Sequence, residues 1–199
     1  MLDDLINSAN ISFPAYLTPA QKDELYSELK KFPTKFNYYL YGHEGKNWMQ
    51  GDGLFGFIAL NFYSGEKKNV SGIIISNSCD INIHNKIPKN RKIIFAPLIK
   101  LADYYSFLKS TKKTDEIITN TIDTIKSQRV TDIFYFPEIK GKINESIALL
   151  DDLHSMPISE FTPAEKTQLF RLSQSGFYLF LIKLSIHLTR MFEGVARSN

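Results

Sequence analysis

Three apolar runs between residues 51 and 103 constrain the fold more than any other feature of this sequence. The runs cover residues 54–63, 70–76 and 91–99. Apolar runs of this length, separated by polar residues and by a turn at Gly65, are typical of buried β-strands. Gly53 and Gly56 favour the bulge or tight bend that lets a small sheet curl on itself. We therefore predict consecutive strands of a small antiparallel β-barrel.

Helix signals lie on both sides of these runs. Thr18, Pro19 and Gln21 supply a hydroxyl N-cap, a proline at N1 and an amide at N3, which together predict a helix within residues 1–36. Helical spacing of apolar positions predicts further helices at residues 101–108 and 114–128. Two more strands are predicted at residues 132–136 and 146–150.

A second capping signal predicts the longest helix, near the C-terminus. Thr162, Pro163 and Glu165 repeat the first pattern, and a stripe of apolar residues continues it over residues 162–193. We predict an α+β fold in one domain, residues 1–199. It consists of an N-terminal helical segment (1–36), a barrel with inserted helices (48–150) and the long C-terminal α-helix.

Composition limits the classes of protein that fit. The chain has 199 residues, 43% of them hydrophobic, which is enough for one sizeable core. A net charge of +3 is too small to indicate nucleic-acid binding by itself. The single cysteine, Cys79, fits a reducing compartment. With no signal peptide and no long uncharged apolar run, we expect a cytoplasmic protein without membrane contact.

Cys79 and Asp80 are the first candidate catalytic residues. A thiol acts as a nucleophile when a base or cation lowers its pKa, and His84 or His187 would be the imidazole partner. The alternative is structural: a small buried residue at a strand end, with Asp80 capping the next loop through its side chain. The structural interpretation is favoured.

Lys183, His187 and Arg190 form a polar stripe on the last predicted helix, at i, i+4 and i+7. Such a stripe could bind phosphate, and His187 could exchange a proton near neutral pH. The alternative, which is favoured, is the solvated face that an otherwise apolar helix must expose.

A basic rim is predicted beside the barrel. Its members are Lys67, Lys68, Lys86, Lys89, Arg91 and Lys92. Cations that follow a backbone, with aromatic rings offered for stacking, are how small barrels hold single strands of nucleic acid. The alternative is that these lysines solubilise loops. The histidines, His43, His84, His154 and His187, show no metal-ligand spacing, so no metal or cofactor is expected.

Four short segments, taken in order, carry a resemblance to a known family. They are Gly51-Asp52, Gly65-Glu66, Ile73-Ile74-Ile75-Ser76 and Ala96-Pro97-Leu98. Their order resembles that of the bacterial MazF and PemK toxins. The resemblance implies a barrel similar to the Src-homology-3 type, often dimeric, that cuts single-stranded RNA.

Two departures from that family concern its catalytic groups. The family has an Arg-Pro before its central strand, where this chain has Val70-Ser71-Gly72, and a Thr or Ser after its third strand, where this chain has Ile99-Lys100. Without a cation and a hydroxyl aimed at the scissile phosphate, ribonuclease activity does not carry over.

The function predicted from these features is a non-enzymatic binding module. Its ligand would be single-stranded RNA or DNA, a protein partner or a second copy of the chain, in a bacterial toxin–antitoxin or phage-defence setting. The predicted nucleic-acid contacts are Lys67, Lys68, Lys89, Arg91, Lys183 and Arg190. The alternative is an enzyme, a diverged endoribonuclease or a cysteine-dependent hydrolase, that uses Cys79, Asp80 and His187. A structural subunit of a larger assembly is a third interpretation.

Overall fold

The computed structural model describes residues 17–42, 47–61, 63–81, 91–161 and 166–189. Within these ranges the chain forms five α-helices, seven β-strands and one turn of 3-10 helix, Ile158–Glu160. The helices are α1 Pro19–Lys30, α2 Ser78–Ile81, α3 Leu101–Ser110, α4 Asp115–Lys126 and α5 Gln174–Thr189. The strands are β1 Gly53–Leu60, β2 Lys67–Ile74, β3 Lys92–Lys100, β4 Ile133–Phe136, β5 Ser146–Leu149, β6 His154–Pro157 and β7 Thr167–Phe170.

All seven strands belong to one antiparallel sheet in the order β4-β5-β3-β2-β1-β7, and β6 pairs with β3 on the side opposite β2. The three predicted runs are confirmed as the neighbouring strands β1, β2 and β3. The predicted barrel is not confirmed, because β4 and β7 lie at opposite ends of the order and no ladder among the described strands joins them.

Curvature brings the two ends of this open sheet close together without pairing them. The β1–β2 register shifts between Phe55 and Phe57, where Gly56 has a φ of +104°, so β1 carries a bulge that bends the sheet. Phe136 of β4 and Phe170 of β7 then approach to 5.1 Å between ring centroids. Side chains, rather than backbone hydrogen bonds, fill the space between these ends.

The main core lies where α1 and α5 pack against the sheet. It includes Leu29 of α1, Phe134 and Phe136 of β4, and Leu179 and Phe180 of α5, all fully buried. A second cluster is centred on Phe57 and Phe95, whose rings stack at 4.3 Å, and a third lies under α3 and α4. These clusters fix the positions of the segments that border the candidate site.

The first predicted helix is confirmed in its capping as well as its position. The Thr18 side chain accepts a hydrogen bond from the Gln21 backbone, and the Gln21 side chain accepts one from the Thr18 backbone. The helices α3 and α4 also lie where predicted, and Thr114 is the N-cap of α4.

The prediction of one long C-terminal helix is wrong for the first part of its range. Residues 167–170 form β7, and α5 begins only at Gln174, with the Ser173 side chain accepting a hydrogen bond from Gly176 N at 3.0 Å. The Thr162–Glu165 signal and the end of the predicted helix lie outside the described residues. The strand forms because β1 offers it an edge: Gly53 has no side chain, and the Phe170 ring occupies the space that a Cβ would take.

None of the helices in the described part of the chain has the length and apolar character needed to cross a membrane. The most apolar of them, α5, has 16 residues and packs into the main core. Its apolar surface therefore serves the fold.

Candidate functional site

The predicted catalytic residues lie on two different elements. Cys79 and Asp80 are exposed on α2, and His187 is half-buried near the C-terminal end of α5. The structural alternative for Cys79, a buried residue, is therefore wrong. The Cys79 backbone donates to the Asn77 side chain at 2.9 Å, and Arg91 Nη1 donates to the Asp80 carbonyl at 2.7 Å, so local turns shape this corner.

The polar stripe on α5 does not begin with a solvated residue, because Lys183 is buried. Lys183 is only 2% exposed, and its Nζ donates to the carbonyl of Gln128 at 2.8 Å and to Gln128 Oε1 at 3.1 Å. Both the favoured interpretation and a direct phosphate contact are wrong for Lys183, because its Nζ faces protein. Arg190 lies outside the described residues.

The predicted basic rim is only partly described. Lys67 and Lys68 are exposed at the start of β2, and Arg91 lies next to α2. Lys89 lies outside the described residues, so its role stays a prediction. Lys68 borders a shallow concavity of about 570 Å³ that is also lined by Tyr63 and by His154, whose Nε2 lies 3.1 Å from Asp152 Oδ1. The described lysines therefore flank the hairpin without forming a continuous track.

A cleft of about 830 Å³ lies along β7, the last strand in the order of the sheet. One wall is the segment 39–42, the other is the segment 166–171, and Trp48, Ile139 and Lys142 complete the border. The first of these walls comes from the aromatic-rich segment before β1. Nothing in the local sequence indicates that this segment forms a cleft wall, because the opposite wall lies more than a hundred residues later in the chain.

Backbone pairing explains why a cleft opens at this place. Tyr39 forms an isolated antiparallel bridge with Leu172, and Leu40 N donates to the Arg171 carbonyl at 2.9 Å. Beyond this point the two segments separate. The strand β7 is paired with β1 on one side and is the last strand of the sheet, so its other side borders the cleft.

A buried ion pair holds the floor of the cleft. Arg171 Nε donates to Asp52 Oδ1 at 2.8 Å, and Arg171 Nη2 donates to Asp52 Oδ2 at 2.6 Å and to the Asn47 carbonyl at 2.8 Å. Asp52 is 1% exposed and also accepts from Met49 N at 2.9 Å. The hydrogen bonds to Asp52 raise the pKa of the Arg171 guanidinium, although burial opposes this. The pair fixes the chain before β1 against the chain after β7.

The electrostatic character of the cleft is cationic. Its border contains Lys142, Lys166 and Arg171, and no aspartate or glutamate is among its described lining residues. Asp52 neutralises Arg171, whereas no carboxylate of the described residues lies within 4 Å of either lysine. The Lys166 ammonium lies 5.5 Å from the centre of the Phe161 ring. Two unneutralised cations therefore face the same cleft.

Aromatic rings border the same space. The Tyr41 side chain is 68% exposed, which leaves its ring available to a ligand, and Trp48 and Tyr39 lie beside it. Trp48 Nε1 and Gln168 Nε2 are buried donors without a hydrogen-bond partner in the described part of the structure. An unpaired buried donor costs about 1–3 kcal/mol, so a small shift that brought an acceptor to either group would be stabilised.

The described residues contain no group of three or more histidine, cysteine, aspartate or glutamate side chains arranged to hold a metal ion. Neither protein-family models nor curated proteins give a match to this chain. The resemblance to the MazF and PemK toxins therefore stays a prediction, and the candidate function has to be argued from the cleft itself.

Proposed function

We propose that the chain is a non-enzymatic binding module and that the cleft along β7 holds a single strand of RNA or DNA. The observation that carries the proposal is the combination in one cleft of an exposed ring, Tyr41, with two cations, Lys142 and Lys166, and with no carboxylate among the described lining residues. Single-stranded nucleic acids bind to sites of this type because bases stack on rings while phosphates contact cations.

Each group has a distinct task in this proposal. Tyr41 supplies the stacking surface, and Trp48 closes the cleft beside it. Lys166 on the opposite wall and Lys142 at the border of the cleft contact the phosphates. Arg171 is a positioning residue, because its guanidinium is already engaged by Asp52 and Asn47. Stacking on an aromatic ring tolerates any base, so we expect little sequence preference.

The chain contains a built-in probe for this test. Trp48 is the only tryptophan in the sequence, so intrinsic tryptophan emission reports on the cleft alone. We expect oligonucleotides of about ten nucleotides, single-stranded RNA or DNA, to quench this emission with a saturable isotherm at low salt. A duplex of the same composition should bind more weakly.

Variants make the test specific to the cleft. Tyr41→Ala should weaken binding by about 1–3 kcal/mol, the range for loss of one stacked base. Tyr105→Ala, an exposed tyrosine on α3, is the matched control and should bind normally. Tyr63→Ala tests the basic rim instead. If the Tyr63 variant loses binding and the Tyr41 variant keeps it, the binding site lies at the hairpin and not in the cleft. Absence of any binding at low salt would refute the proposal.

A second candidate is an extended peptide from a protein partner. It is favoured by the position of β7 at the edge of the sheet, since a peptide can pair with such an edge strand through its backbone. An acidic peptide would complement Lys142 and Lys166. Protection of the Leu169 amide from hydrogen exchange by a peptide, together with no quenching by oligonucleotides, would support this candidate over the first.

The enzyme alternative and the toxin or defence setting remain proposals that follow from the sequence alone. For the enzyme, the decisive property is the reactivity of Cys79, which is exposed. A nucleophilic thiol would react with iodoacetamide faster than free cysteine does. An ordinary rate would remove the cysteine-dependent hydrolase from consideration.

A further inference from the structure

Behind the cleft wall lies a buried polar network centred on Gln128. Its carbonyl and Oε1 accept hydrogen bonds from Lys183 Nζ, its Nε2 donates to the Tyr135 carbonyl at 2.7 Å, and its Oε1 also accepts from Tyr135 N at 3.2 Å. Gln128 has a φ of +57° and is 2% exposed. A left-handed backbone at a buried glutamine is uncommon, and the network holds it in place.

The same network reaches the segment that forms the cleft wall. Gln128 Nε2 lies 3.4 Å from the Tyr38 hydroxyl, which it contacts as a donor. The Tyr38 carbonyl accepts from Ser173 N at 2.9 Å, so Tyr38 is fixed to the start of α5 at its backbone and to Gln128 at its ring. The next residues, 39–42, border the cleft. Lys183 is therefore connected to the cleft wall through two side chains, those of Gln128 and Tyr38.

The number of donors on Lys183 decides which protonation state this network accommodates. A neutral amine has two N–H groups, and Gln128 supplies two acceptors, its carbonyl and Oε1. An ammonium has three donors and a charge, and no carboxylate of the described residues lies within 4 Å of it. Burial at 2% exposure makes the charged form costly. The geometry fits the amine better than the ammonium.

We propose that the protonation state of Lys183 regulates the cleft. In this mechanism the neutral amine holds Gln128 and Tyr38 in place and the cleft wall is ordered. The ammonium moves away from Gln128, the wall loosens and the ligand is released. This regulation acts on the cleft of the proposed function. The test that measures ligand binding therefore rests on that function, whereas the test on the free protein does not.

The groups around Lys183 determine where this change occurs. Desolvation lowers the pKa of Lys183 to about 7, while the charge of Asp132 acts in the opposite direction. Tyr38 and Tyr135 face the network as neutral phenols, because burial raises the pKa of Tyr38 to about 12 and also raises that of Tyr135. On α5 itself, the imidazole of His187 lies one turn beyond Lys183.

The first test needs no ligand. The Trp48 emission of the free protein, measured from about pH 5.5 to 9, should show a transition with a midpoint close to pH 7. Lys183→Met should abolish it, and His187→Gln should leave it in place. Asp132→Asn should move the midpoint to lower pH, which tests the proposal even if the methionine variant does not fold. An unchanged transition in both Lys183→Met and Asp132→Asn, or no transition in the native chain, would refute it.

The second test measures affinity for a single-stranded oligonucleotide. We expect binding roughly fivefold or more weaker at pH 6 than at pH 8 in the native chain, and a flat profile in Lys183→Met. A transition in Trp48 emission without any oligonucleotide binding would support the device and refute the proposed ligand. If the native chain binds the oligonucleotide equally at all pH values and its emission does not change with pH, the proposed ligand is supported and the regulation by Lys183 is refuted.

Discussion

Arg171 donates two parallel hydrogen bonds to Asp52, from Nε to Oδ1 at 2.8 Å and from Nη2 to Oδ2 at 2.6 Å, although 119 positions separate the two residues in sequence. The carboxylate is almost completely buried, and the guanidinium has little access to water. Removing one partner would leave the other charge buried and uncompensated. The pair therefore ties the entry of β1 to the exit of β7.

Asp52→Asn and Arg171→Gln should each lower the free energy of unfolding by about 3–5 kcal/mol, the range for breaking a buried pair. Arg171→Lys should also destabilise, because an ammonium cannot reproduce the two-pronged contact. Urea denaturation measures these effects. Lys31→Ala, which removes the exposed Lys31–Glu28 pair, is the control and should cost less than about 1 kcal/mol. Equal costs for the exposed and the buried pair would contradict this account.

Lys183 should make the free energy of unfolding rise with pH above neutrality. Its pKa is about 7 in the folded protein, against an ordinary value of 10.5. Between these values the unfolded chain binds more protons than the folded chain, so the free energy of unfolding rises with pH. Between pH 7 and about pH 9.5 the native chain should gain roughly 3 kcal/mol relative to Lys183→Met. Parallel pH profiles of the two proteins in urea denaturation would show that the folded pKa is not lowered.

Gly176 offers a test in which helix propensity and packing predict opposite signs. Alanine is favoured over glycine within a helix by about 1 kcal/mol. A Cβ at Gly176, however, would lie 2.3 Å from the carbonyl oxygen of Tyr38, which is backbone and cannot rotate away. We expect Gly176→Ala to destabilise by about 1–3 kcal/mol because α5 must shift.

Gly141→Ala is the comparison for this variant. Gly141 has open space around it and a φ of +76°, so its substitution costs only backbone strain, about 1 kcal/mol. The two variants differ in a second respect, since only the change at Gly176 should alter Trp48 emission. Thermal denaturation and emission spectra of both proteins provide the check. Stabilisation by Gly176→Ala would show that α5 does not press on Tyr38.

The slope of affinity against salt concentration should report the number of phosphates that the cleft neutralises. For a single strand, log K falls with log salt by about 0.7 for each phosphate that is neutralised. Lys142→Ala and Lys166→Ala should therefore each reduce the slope by about 0.7, and the double variant by about twice that. Lys67→Ala, at the hairpin and outside the cleft, should leave the slope unchanged. A reduction for Lys67 but not for the cleft lysines would place the strand on the hairpin.

Local sequence signals located most of the elements in the described chain. The caps at Thr18 and Thr114 begin helices because they satisfy backbone donors within three residues, which is information that a short segment contains. The three apolar runs likewise form the central strands. The strand β6, whose sequence is His-Ser-Met-Pro, was missed because it contains no apolar run, and β7 was missed because its residues continue the stripe that predicts the C-terminal helix.

The candidate site depends on contacts that no local pattern contains. The cleft exists because segment 39–42 pairs briefly with the chain beyond β7 and then leaves it, and the two walls are more than a hundred residues apart. Lys183 shows the same limit. Its position on an apolar helix indicated a solvated stripe, but the acceptors of Gln128, 55 residues earlier, allow it to be buried.

The contacts of Tyr38 with Ser173, and of Tyr39 with Leu172, have a consequence for biosynthesis. The segment that carries α1 is synthesised more than a hundred residues before these partners. Until they arrive, the apolar face of Leu25 and Leu29 has no core to enter, and the nascent chain exposes it. Completion of the native state must therefore wait until α5 has been synthesised, and chaperone dependence should be concentrated in that interval.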